Sequence, residues 1–398
     1  MFRSYRLRLW IYHWFFPVCL VWIGLRHAAV LAGPGPDQST NSADYRFKYE
    51  RYDARSGALF ESRGRNSDYN DSARAVFVDS QGRVWVSSVT GLAVYDGKQW
   101  SSRTFKSRDA AGHVILGVLG ISDCGPAKIA EGPLGTIWFG GNFGIWRYRE
   151  GRYEEISSEI TTEIGMVADG SGALWVLTKY NAQRYDGKTW TTVLRPYFDR
   201  SIHLELPGLF GMAIDTNGSV WIGGTAYIQP TAPWEHEGLV WVVDQAKKQR
   251  SGGPPMSPIF EFDGKRWRAF GPPHGIGMRK REGAVPELDE HGRIRAKTSK
   301  GYYVLEGEVW KPIADPGVAV GKHWVLRERK AGFGKRSTEL FFRDGEKLIE
   351  VRPKDYKTGE VLDVRSEQLV SLDPAEDPQR GCLWLGTSHG LYRIWRGE

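Results

Sequence analysis

Three stretches of the chain spell the same hairpin. Ala75-Val-Phe-Val-Asp79-Ser-Gln-Gly82-Arg-Val-Trp85 recurs as Met166-Val-Ala-Asp169-Gly-Ser-Gly172-Ala-Leu-Trp175 and again as Met212-Ala-Ile-Asp215-Thr-Asn-Gly218-Ser-Val-Trp221. Weaker copies lie at Gly132 to Trp138, Leu288 to Arg295, around Trp324 and at Leu372 to Trp384. Each copy reads as a short apolar strand, a tight turn and a second strand that opens with Trp. In the turn, Asp hydrogen-bonds its own backbone and Gly supplies a positive φ. A unit of this size cannot bury both of its faces alone, so the copies must stack on one another.

A second signature follows each hairpin. Tyr95-Asp96-Gly97, Glu150-Gly151, Tyr185-Asp186-Gly187, Phe262-Asp263-Gly264, Glu306-Gly307, Asp344-Gly345 and Arg396-Gly397 each end an apolar strand with a polar residue and Gly. Lys98-Gln-Trp100, Lys188-Thr-Trp190 and Lys265-Arg-Trp267 then open a fourth strand. The unit is therefore four strands in about fifty residues, the size of a propeller blade, and the count predicts seven blades. The last copy stops at Arg396-Gly397-Glu398, before its fourth strand, while Tyr45 to Tyr52 alternates as a strand that belongs to no complete blade. The expected fold is an all-β, seven-bladed propeller of four-stranded antiparallel blades over 45–398, its last blade completed by the N-terminal strand. That pairing removes an open sheet edge.

Composition agrees, since Gly 48 with Trp 17, Tyr 17 and Phe 17 combines many turn residues with many flat side chains suited to half-buried strands. The 398 residues fit one large closed all-β domain. The formal charge of +7 includes Arg3, Arg6, Arg8 and Arg26, which face no acid in the first 32 residues and leave +3 for the rest. No nucleic-acid partner is expected from so weak a balance. Residues 1–32 read as an export signal: a basic start, an apolar run from Leu9 to Leu25, and small residues ending Val30-Leu31-Ala32. The 17-residue run sits at the short edge for a bilayer span, so both a cleaved signal peptide and an uncleaved anchor through residues 9–25 stay open. Residues 33–44 read as a linker, and the location as periplasmic or extracellular. Cys124 and Cys382 fall on opposite faces of the repeat map, so no disulfide is expected.

The hairpins resemble the two-component regulator propeller repeat, in which Asp-x-x-Gly-x-x-Trp is followed by Gly-Leu-x-x-Tyr-Asp. Asp79 to Tyr95 and Leu383 to Tyr392 carry the likeness best, and blades 5 and 6 carry it least. Arg295 stands where blade 5 should have Trp, and blade 6 lacks the Asp turn. The resemblance implies an extracytoplasmic ligand-sensing module, often one that reads polysaccharides. The chain shows no second apolar span and no kinase motif, so a sensor role needs a separate membrane partner to carry the signal.

Both turn types emerge on one face and are read as structural, with no metal or cofactor expected. The second-to-third-strand loops and blade links emerge on the other face, where binding residues gather on a rigid scaffold. The longest excursion, Gly223 to Pro258, reads as a lid or rim carrying Tyr227, Trp234, Glu235, His236 and Glu237. Blade links add His113, Arg195, Tyr197, His203, Glu205, His274 and the basic run Arg279, Lys280, Arg281. The ligand-binding candidates are Trp234, Glu235, His236, Glu237, Tyr227, Arg195, Tyr197, His274 and Arg279. The leading reading is a non-enzymatic binding or sensing module for an extracytoplasmic ligand of glycan type. Two others stay open: a protein-interaction platform, and a propeller lyase in which His203, Glu205, His236 and His274 act as base and orienters, with Glu235 beside them. Gly-x-Ser-x-Gly, His-Glu-x-x-His and phosphate-loop motifs are absent from the sequence.

Overall fold

The computed structural model describes residues 46–53, 73, 75–88, 91–104, 128–141, 144–158, 160, 165–178, 181–197, 209–228, 240–243, 257–277, 283–289, 291–330, 336–362, 374–387 and 390–397. They form the seven blades expected from the repeat. Blade 1 runs Ala75–Val78, Val84–Ser87, Gly91–Tyr95 and Trp100–Thr104, each strand antiparallel to the last. Blade 2 follows with Lys128–Gly132, Thr136–Gly141, Gly144–Arg149 and Arg152–Ser157. Blade 3 has Gly165–Ala168, Leu174–Leu177, Ala182–Tyr185 and Trp190–Tyr197. Blade 4 has Leu209–Ile214, Val220–Ile228, Ser257–Phe262 and Trp267–Phe270. Blade 5 has Ala284–Leu288, Ile294–Thr298, Gly301–Glu306 and Val309–Ile313. Blade 6 has Val318–Val320, Trp324–Lys330, Arg336–Asp344 and Lys347–Glu350.

In the hairpins of blades 1, 3, 4 and 7 an Asp works as a clamp. In blade 1, Asp79 Oδ1 accepts from the N–H groups of Gln81 and Arg83 at 3.0 and 2.8 Å, and its Oδ2 accepts from the Trp85 indole at 2.8 Å. Asp169 and Asp215 repeat both halves, reaching Trp175 and Trp221 at 2.9 Å each. Asp377 does so more loosely toward Trp384, at 3.4 Å. One carboxylate thus closes the turn and fixes the ring that packs against the next blade. Gly82, at φ 76°, gives the turn a conformation that a side chain resists.

Where the repeat departs from its pattern, the structure supplies substitutes. In blade 5 the carboxylate of Asp289 receives Arg293 Nε at 2.7 Å in place of an indole. Arg295 fills the Trp position, 2% exposed, pairing with Glu287 at 3.1 Å and donating to the Gly317 carbonyl of blade 6 at 3.1 Å. In blade 6 the missing Asp is replaced from the neighbouring blade. Glu376 Oε2 accepts from the N–H groups of Lys322 and His323, and Oε1 lies 2.5 Å from His323 Nδ1.

Blade 7 contains Ala375–Asp377, Cys382–Thr387 and Gly390–Arg396, and its outer strand is Phe47–Tyr52 from the other end of the chain. Phe47 pairs with Arg396 and Tyr52 with Leu391 in an antiparallel ladder. Gly397 is therefore no turn; its N–H donates to the Arg46 carbonyl at 2.9 Å, joining the two ends. A short strand, Lys354–Asp355, lies parallel along the far side of Phe47–Tyr52. Phe47 and Tyr49 are buried while Lys48 and Arg51 face outward. Phe47 sets its ring 5.4 Å from that of Trp324 and 5.2 Å from that of Phe342, so the closing strand also anchors blade 6.

The described parts of the blade 4 excursion are strands, and residues 229–239 and 244–256, with Trp234 to Glu237 of the expected lid or rim, lie outside the described residues. The blade's second strand runs on to Ile228, and a strand at Val240–Val243 pairs in parallel with Leu194 to Tyr197 of blade 3 while Val243 pairs with Tyr227. The insertion thus hydrogen-bonds blades 3 and 4 into one nine-stranded sheet. Cys382 is a buried free thiol, pushed up to about 11 by that burial; Cys124 lies outside the described residues, as do the signal and linker segments, residues 1–44, and Tyr45.

Three outcomes check this account. Asp79→Ala should lower unfolding stability by about 2–4 kcal/mol, because several hydrogen bonds to one buried charge vanish together; a loss under about 0.5 kcal/mol in a urea titration denies the clamp its role. Phe47→Ala should cost about 3–5 kcal/mol, and an unchanged midpoint means the closing strand does not hold the ring shut. The backbone N–H groups of Gln99 and Lys98 hold the Asp96 carboxyl below the ordinary aspartate range, as those of Thr189 and Lys188 do for Asp186, and those of Arg266 and Lys265 for Asp263. A depressed folded pKa stabilises above the unfolded value and fades as pH falls through the folded one. Melting temperature should therefore hold from about pH 7 to 5 and drop below about pH 4; a flat profile down to about pH 3 contradicts the assignment.

Candidate functional site

The interfaces between blades 7 and 1, 1 and 2, 2 and 3, and 3 and 4 are each filled by a trio of rings: the second-strand Trp of one blade, the last ring of the next blade's third strand, and the first ring of that blade's outer strand. Trp138, Tyr185 and Trp190 make the trio between blades 2 and 3, with Trp138 and Tyr185 at 6.1 Å and Tyr185 and Trp190 at 5.0 Å. Trp85, Tyr148 and Tyr153 do the same between blades 1 and 2. Trp175, Phe262 and Trp267 do so between blades 3 and 4.

A fourth residue wedges the outer part of the gap. It comes from the first blade's outer strand, three positions after that strand's own ring. Between blades 7 and 1 it is Tyr52, 5.7 Å from Trp100 and 5.6 Å from Trp384. Between blades 1 and 2 it is Arg103, whose guanidinium lies 4.5 Å from the centre of the Tyr153 ring. Between blades 2 and 3 it is Ile156, and between 4 and 5 it is Phe270, stacked on Trp221 at 5.5 Å. Between blades 3 and 4 the wedge is only Val193. A small side chain where neighbours are large leaves space that the rigid sheets cannot close.

That interface opens on the turn face as a cleft of about 720 Å³. The walls include Trp175, Val193, Val220, Phe262 and Trp267, and polar groups come from Ser171, Thr191, Arg184, Lys265 and Arg266. Gly170, Gly218 and Gly264 line the mouth, and a Cβ on any of them meets nothing within 4 Å. The Val240–Val243 bridge spans the same interface toward its other end, since Trp190–Tyr197 reaches the cleft with Thr191 and Val193 and the bridge with Leu194 to Tyr197.

Asp169 lies at the base. Burial pushes its pKa up, but hydrogen bonds from Ser171, Trp175 and Ala173 and the charge of Arg184 reverse this and keep it below the ordinary aspartate range. Arg184 is engaged by the same carboxylate at 3.7 Å, and its guanidinium lies 5.8 Å from the centre of the Trp175 ring. Lys265 and Arg266 are exposed, and neither side chain forms an ion pair among the described residues. Among the described residues no group of His, Cys, Asp and Glu could hold a metal ion.

His203, Glu205, Trp234, Glu235, His236, Glu237 and Arg279 lie outside the described residues, with His113, Lys280 and Arg281. The backbones of Arg195 and Tyr197 lie in the outer strand of blade 3, and that of Tyr227 in the extended second strand of blade 4. His274 ends a single helical turn, Pro272–His274, where Nδ1 accepts from the Gly271 N–H at 3.1 Å. Its ring lies 5.3 Å from that of Phe270. That nitrogen closes the turn. The cleft itself lies on the face read as purely structural. The signal for it is a comparison of outer strands, Arg103, Ile156 and Phe270 against Val193.

No family model and no curated protein matches the chain. Solved structures do. The extracellular domain of a hybrid two-component system from B. thetaiotaomicron matches at 14% identity and TM-score 0.33, over 87% of this chain and 39% of its own. YCF48 bound to D1 peptide matches at 12% and 0.48, over 90% and 100%. PorZ, a surface component of the type-IX secretion system of Porphyromonas gingivalis, matches at 13% and 0.43, over 83% and 47%. This chain thus spans well under two thirds of the first of these, and likenesses so distant carry no argument about ligand or activity.

Proposed function

We propose that the protein is an exported binding module that holds a glycan-type ligand in the cleft between blades 3 and 4 and reports it to a separate membrane partner. The cleft carries this reading: it combines aromatic walls, two hydroxyls and unpaired cations on two rigid blades, the mix that small-molecule sites use. The basic, then apolar, N-terminal segment supports export, and among the described residues no helix is long and apolar enough to cross a membrane. The hairpin motifs support the sensing role through their resemblance to regulator propellers. The carboxyls of Asp96, Asp169, Asp186, Asp263, Asp289 and Asp355 are all held below the ordinary aspartate range, and each accepts backbone N–H groups of its own turn. That arrangement suits binding better than general acid catalysis.

Thermal-shift screening of neutral and acidic oligosaccharides tests the reading. At hundredfold excess over Kd, a bound member should raise the melting temperature by about 2–6 °C. Val193→Phe, which places in blade 3 the residue blade 4 already uses as its wedge, should abolish that rise while leaving the unliganded melt within a few degrees. Silence across the panel, or a shift that persists in the variant, sinks the proposal.

A further inference from the structure

Two departures from the repeat coincide at one interface. The first is the small wedge, Val193. The second is the turn of blade 4, where Asp263-Gly-Lys265-Arg266 carries two cations in succession while the matching turns of blades 1 and 3 read Asp96-Gly-Lys98-Gln99 and Asp186-Gly-Lys188-Thr189. Both Lys265 and Arg266 line the cleft. The carboxylate of their own turn, Asp263, accepts from their backbone N–H groups at 2.8 and 2.7 Å and feels the charge of Arg266, but among the described residues it forms no ion pair with either side chain. The cleft's other carboxylate, Asp169, is already met by Arg184, Ser171, Trp175 and backbone N–H groups. Two positive charges therefore line the cleft without an ion-pair partner among the described residues.

We propose that the cleft selects an anionic saccharide, with its carboxylate against Lys265 and Arg266 and its ring along Trp267. This rests on the reading of the cleft as a glycan site and adds the charge of the ligand. An inorganic anion needs far less room than about 720 Å³ and gains nothing from the apolar wall of Val193, Val220, Phe262 and Trp267. A sugar acid offers a C–H face for that wall, hydroxyls for Ser171 and Thr191, and a carboxylate for the paired cations.

Calorimetry on the full chain compares an oligouronide with its carboxyl-reduced, neutral counterpart of equal length, with sulfate as a control. The oligouronide should bind at least ~10-fold more tightly than the neutral form, and its affinity should fall as salt rises. Lys265→Ala with Arg266→Ala should bring the two forms level without moving the melting temperature, since both side chains are exposed. Val193→Phe should block both. Equal binding of the two forms, or no effect of the double substitution, overturns the charge assignment and leaves the cleft as a neutral-glycan site. Displacement of the oligouronide by sulfate at equal concentration also overturns it, as ion binding only. Failure of both sugars to bind overturns this inference and the proposed function together.

Discussion

In the hairpins of blades 1, 3, 4 and 7 a single carboxylate decides how the rest of the ring is assembled. Asp79, Asp169 and Asp215 each hold their own turn with one oxygen and a Trp indole with the other. The first bond is local and would form in an isolated hairpin. The second aims a large ring across the gap to the next blade, where it meets Tyr148, Phe262 or Trp310 respectively. Local turn chemistry and long-range packing are thereby carried by one side chain, which is the kind of agreement between levels that lets a sequence specify one structure.

The exceptions show what the clamp has to achieve. Blade 5 keeps the turn and gives up the ring, and Arg295, ion-paired to Glu287 of its own blade, bridges to blade 6 by a hydrogen bond to the Gly317 carbonyl. Blade 6 keeps the ring and gives up the Asp, and Glu376 reaches over from blade 7 to cap the turn. In both cases the substitute crosses an interface. The hydrogen-bonding needs of a buried turn can be met from outside the hairpin, provided the neighbouring blade is already in place.

Much of the fold was legible in the sequence because it is written in residues that each have one job. Asp, Gly and Trp at fixed spacing announced the hairpins, and the alternation of Phe47 to Tyr52 announced the strand that the last blade lacked. The cleft was not legible from motifs. It depends on Val193 being smaller than Arg103, Ile156 and Phe270, and no spacing rule distinguishes a Val that packs from a Val that leaves a gap. The bridge at Val240–Val243 was hidden for another reason: four apolar residues inside a long insertion fix neither a partner nor a direction, and only the parallel register with Leu194 to Tyr197 does. The turn motifs were read as scaffold, and their Asp carboxylates do hold the turns; the cleft arises from what differs between two adjacent copies of that scaffold.

The closing strand has a consequence for the order of events in folding. Phe47–Tyr52 is among the earliest parts of the chain to be synthesised, yet both of its partners, Gly390–Arg396 and Lys354–Asp355, are among the latest. Joining them closes a loop that contains nearly every other strand, which makes this the most non-local pairing in the molecule and places it late on any folding route. Until then Phe47 and Tyr49 are apolar residues without a sheet, and the last blade shows a bare edge beside them. The interval between translation of the first strand and arrival of its partners is when this chain is most exposed to pairing with another copy of itself.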